Sequence, residues 1–84
     1  MLYDGLNHPI ATNEESIKET LLGDTSMVKD STVKHSTDEL AIYYNKELGE
    51  INIWNGYDNP SIDFPLSEID QAVKKFMSLY MDCW

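Results

Sequence analysis

Leu40-Ala41-Ile42-Tyr43-Tyr44-Asn45 and Glu50-Ile51-Asn52-Ile53-Trp54, joined by Lys46-Glu47-Leu48-Gly49, form the stretch that decides the fold class. Both runs are rich in β-branched and aromatic residues and alternate with a period of two, which marks strands at about 40–45 and 50–54. Gly49 can take the left-handed conformation that a longer hairpin loop needs before its second strand. Alternation sends Leu40, Ile42, Tyr44, Ile51 and Ile53 to the core side. Ala41, Tyr43, Asn52 and Trp54 stand on the other side, a face more aromatic than solvent demands.

Upstream, residues 24–38 are polar, and β-branched residues with weak alternation allow an edge strand within 27–35. Before them, Thr12-Asn13-Glu14-Glu15 reads as a capping box in which Thr12 caps the Glu15 amide. Ile17 and Leu21 then share one face and Gly23 is a C-cap, giving a helix of about 13–22 with a narrow apolar stripe. Residues 1–11 read as turns, at Asp4-Gly5 and from Asn7 to Pro9, with Leu2, Leu6 and Ile10 as packing anchors. Downstream, 55–60 is turn-rich, and Ile62 and Phe64 alternate in a brief extended segment that Pro65 enforces. The last element is the most regular. Ser67 caps a helix over about 67–81 in which Ile69, Ala72, Val73, Phe76 and Tyr80 fall within about 100° of arc. The expected architecture is a single two-layer α+β domain: an antiparallel hairpin or three-stranded sheet, a C-terminal amphipathic helix and a short N-terminal helix.

Composition narrows the function classes. The chain of 84 residues holds fifteen Asp and Glu against six Lys and no Arg, a formal charge of −9. Eight acids and three lysines lie up to Ile42 and seven and three beyond it, so the acidity is no detachable tail. Such a field repels phosphate backbones and anionic bilayers and attracts basic surfaces. Direct nucleic-acid or membrane binding is therefore not expected. The start, Met-Leu-Tyr-Asp-Gly, carries no secretory pattern, and one cysteine, Cys83, cannot form an internal disulfide, so a cytoplasmic setting is the expectation.

The sequence holds few chemistry-bearing motifs. His8, His35 and Cys83 lack metal-ligand spacing, the four glycines are isolated and build no phosphate loop, and Cys83 has no base held near it in sequence. The reading is a non-catalytic protein without cofactor or metal. Binding is left, and two residue sets bear on it. Glu14, Glu15, Glu19, Asp24, Asp30, Asp38, Glu39, Glu47 and Glu50 offer carboxylates that could imitate a phosphate array and occupy the basic surface of a nucleic-acid-handling enzyme. Tyr43 and Trp54, with Tyr57 in the following loop, are residue types favoured as interface anchors. Helix 13–22 is expected to cover Tyr43 and Trp54 and make them core; left uncovered, they imply a partner or a self-dimer through the sheet.

In size and charge the chain resembles the small acidic inhibitors that phages and other mobile elements direct against host nucleases, glycosylases or restriction systems. The resemblance attaches to no motif. It implies stoichiometric inhibition of an enzyme with a basic surface; the alternative is a structural or assembly protein such as a homodimeric accessory subunit.

Overall fold

The structure is a computed structural model that describes residues 2–30, 40–55 and 60–82. Its elements follow in the order β1 (Leu2–Asp4), β2 (Pro9–Ile10), α1 (Glu14–Leu22), β3 (Met27–Asp30), β4 (Leu40–Asn45), β5 (Glu50–Asn55), β6 (Ile62–Pro65), a 3-10 turn (Leu66–Glu68) and α2 (Ile69–Asp82). The strands make one six-stranded sheet in the order β2-β1-β3-β4-β5-β6, every neighbouring pair antiparallel. This corrects the expected hairpin or three-stranded sheet. Strands of two to four residues are too short to show a period of their own; β1 owes its form to ladder bonds with β3, β2 to those with β1, and β6 to those with β5.

The central hairpin follows its sequence signal. Ile42 faces Ile53 and Tyr44 faces Ile51 across the ladder. Gly49 closes the turn at φ 65° and donates its amide to the Asn45 carbonyl at 2.9 Å. The Asn45 side-chain oxygen also accepts from the Glu47 and Leu48 amides. At the other end of the sheet the Asp4 carboxylate organises the β1–β2 turn, accepting from the Leu6 and His8 amides at 2.9 Å each.

Both helices lie on the same side of the sheet. α1 carries the chain from β2 over to β3, packing on β3, β4 and α2, while α2 crosses β4, β5 and β6. The core between the layers joins Ile17 and Leu21 of α1, Phe76, Val73 and Ala72 of α2, and Leu2, Val28, Leu40, Ile42, Ile51 and Ile53 of the sheet. Fully burying one such aliphatic or aromatic side chain contributes about 1.5–3 kcal/mol, so a small set of residues carries most of the stability. Tyr44, Ile62 and Phe64 pack around its edge, half-buried.

Two helix starts differ from the sequence reading. Asn13, not Thr12, caps α1: its side-chain oxygen accepts from the Ser16 amide at 2.8 Å, which leaves Glu15 inside the first turn rather than closing a box. At α2 the 3-10 turn after Pro65 takes the place expected for a Ser67 cap. The edge strand expected within 27–35 is β3, but it lies inside the sheet, because β1 pairs along the side that β4 leaves open; the remainder of that stretch lies outside the described residues.

Candidate functional site

The face of the sheet turned away from the helices is built by strand register. One cross-strand row runs Tyr3, Lys29, Ala41, Trp54; the next runs Met27, Tyr43, Asn52, Asp63. Period-two alternation puts all eight opposite the core. α1 was expected to cover this face, but it packs beside α2 instead. An apolar stripe as narrow as Ile17 and Leu21 is satisfied by β3 and the flank of α2, leaving no second apolar side to lay on the far face.

Trp54 is 64% exposed and Tyr43 39% exposed, whereas Ala41 between them is only 9% exposed. Their side chains and that of Met27 enclose an apolar recess of about 230 Å³ with Ala41 as its floor. Other exposed large apolar residues, Leu6, Leu22, Leu48 and Met81, stand singly at turns and helix ends, which is ordinary. The Trp54–Tyr43–Met27 group differs because its members adjoin on one rigid layer.

Polar groups rim the recess. Asn52 donates from Nδ2 to Asp63 Oδ1 at 2.6 Å, and Ser61 Oγ donates to the same oxygen at 3.2 Å. Lys29 lies beside Ala41 on β3, and Asp63 lies on β6, so opposite charges flank the aromatic centre.

The acids named from the sequence are dispersed. Glu14, Glu15 and Glu19 are exposed on α1 and Asp24 follows its C-terminus; Asp30 lies half-buried on the core-side parity of β3, opposite Leu40. Glu47 is exposed in the hairpin turn, and only Glu50 shares the face of Trp54, at the start of β5. Asp38, Glu39 and Tyr57, with His35 and Cys83, lie outside the described residues. On the helix layer a groove of about 400 Å³ is lined by Glu14, Glu15, Lys18, Asp70, Val73 and Lys74. Lys18 Nζ meets Asp70 Oδ1 there at 2.9 Å, so lysines break the run of carboxylates.

Sequence reasoning named Tyr43 and Trp54 on this face and missed Met27, Lys29 and Asp63. The alternation of Met27-Val28-Lys29 and of Ile62-Asp63-Phe64 held the signal, but only the pairing with β4 and β5 reveals which residues become neighbours. Among the described residues no three His, Cys, Asp or Glu side chains converge as a metal ion requires, and no helix is long and apolar enough to cross a membrane. Comparison with protein-family models, with curated proteins and with solved structures finds no match to this chain.

Proposed function

We propose that the protein is a non-catalytic binding or assembly protein that contacts another protein chain through the open face of its sheet. The observation that carries this reading is the exposed Trp54 beside Tyr43 and Met27, gathered around an apolar recess on a layer that neither helix covers. Trp and Tyr bury large area with few rotamers to freeze, so such a cluster gives a contact its energetic centre. A basic partner drawn by the net charge of −9 would meet its attraction elsewhere, on the helix layer and the hairpin turn.

The second reading, inhibition of a nucleic-acid-handling enzyme through phosphate-like carboxylates, draws on the exposed Glu14, Glu15 and Glu19 of α1. Lys18 and Lys74 among those acids weaken it. Salt and substitution separate the two. Affinity capture with the wild type, Trp54→Ser and the combined Glu14→Gln, Glu15→Gln, Glu19→Gln chain is run at low salt and at about 0.5 M, where exposed charges are screened within one contact distance. An apolar contact survives the salt and is lost with Trp54→Ser. A phosphate-mimicking contact is lost in the salt and with the glutamines, and that result would replace the first reading by the second.

A further inference from the structure

We infer that the occupant of the open sheet face is a second copy of this chain, packed face to face as a two-fold symmetric dimer; this rests on the reading of that face as a protein-binding surface. Charge favours a second copy as the occupant. In a chain of net charge −9, the strand residues of this face carry only Lys29, Glu50 and Asp63. A surface built to receive a basic partner gains from acids at the contact, whereas one built to meet its own copy must exclude them, because like charges brought together repel. Among the described residues the other acids stand on α1, in turns and on the helix side instead.

The face is also self-complementary. Two sheets packing face to face keep their strands within about 30° of each other, about 10 Å apart. A two-fold axis running along the strands, midway between β4 and β5, lays β4 of one copy over β5 of the other and β3 over β6. Residues keep their row under this operation. Trp54 of each copy then comes over Ala41 of the other, so the largest side chain of the face meets the floor of the recess. Tyr43 comes over Asn52, an amide within its hydroxyl's chemistry. Lys29 comes over β6 one row from Asp63, about two residues or roughly 7 Å along the strand, a span its four-carbon stem can cover. Both present Asp63 bonds fall on Oδ1, and a carboxylate has further acceptor sites. The operation makes each contact twice.

The operation overlaps β3 to β6, twenty strand residues, which at about 3.4 Å per residue and about 4.8 Å between strands present roughly 330 Å² in projection, before side-chain relief is added. A standard interface uses about 800 Å² of accessible surface per partner, so this contact is small and the Trp54–Tyr43 centre has to carry it.

The test is the mass of the full chain by sedimentation equilibrium and light scattering, with circular dichroism to establish that each variant is folded. The wild type is expected at twice 9.7 kDa, with the dimer persisting at about 0.5 M salt. Trp54→Ser, an exposed position, is expected to weaken association by about thirtyfold or more while leaving the fold intact. K29D and D63K are each expected to weaken it as well. Mixing those two chains is expected to restore a heterodimer, because one then offers two carboxylates and the other two ammonium groups. A wild type that stays monomeric over the concentration range, a dimer indifferent to Trp54→Ser, or charge variants that fail to rescue each other would overturn the inference. If a monomeric wild type still loses a captured protein on Trp54→Ser, the binding reading stands and its occupant is a different chain. If Trp54→Ser changes neither, both are wrong.

Discussion

Asp4 shows how much local order one carboxylate can impose. It closes a turn in which Asn7 sits at φ 65°, holding the amides of Leu6 and His8, and His8 Nδ1 stands 3.7 Å from its other oxygen. The His8 amide is the main cause that draws its pKa below the ordinary 3.8; partial burial opposes it, and the Leu6 amide and the charges of His8 and Lys29 add to the lowering. Linkage then fixes the sign. A carboxylate whose pKa is lower folded than unfolded adds stability that is present above the unfolded value, about 3.9, and is lost as pH falls through the folded one. Asp4→Asn, which keeps an acceptor oxygen but no charge, is expected to lower the Tm at neutral pH, with the gap to wild type closing below about pH 4. Paired melting curves across that range check the closure, and NMR titration of the Asp4 carboxyl checks the direction of the shift. A gap that widens in acid would exclude this account.

Elements were legible in proportion to how much of their form is local. β4, β5 and α2 carry their periodicity within one segment, so the hairpin, its left-handed Gly49 and the Phe76 face of α2 follow from the sequence. β1, β2 and β6 do not, since a strand of two to four residues is made by its neighbour's ladder. The same limit applies to the open face: Tyr43 and Trp54 were named from alternation, but Met27, Lys29 and Asp63 join them only through long-range register. Helix caps sit between these cases. Thr12 and Asn13 are both good caps, and backbone geometry chooses Asn13, extended at φ −149° and ψ 161°. Asn13→Ala is therefore expected to destabilise the fold by about 1 kcal/mol, and Thr12→Ala by much less. Denaturant unfolding of the two variants decides the matter, and reversed costs would return the cap to Thr12.

At the scale of the whole molecule the layers are unequal. One side of the sheet is packed by both helices around Phe76, Ile42 and Ile53, while the other leaves Trp54 and Tyr43 to solvent. A chain of this length buries only about 60–65% of its unfolded surface, so covering the second side would add a large fraction of its stability. If a second copy supplies that cover, folding and association are linked by mass action and the Tm must depend on protein concentration. With an unfolding enthalpy of about 0.7 kcal/mol per residue and two chains released per dimer, each tenfold dilution is expected to lower the Tm by roughly 4 °C. Trp54→Ser is expected to melt lower than the wild type at high concentration and to lose this dependence. Calorimetric scans over two decades of concentration measure it directly. A wild-type Tm that does not move with dilution would mean that the single packed side stabilises the fold alone.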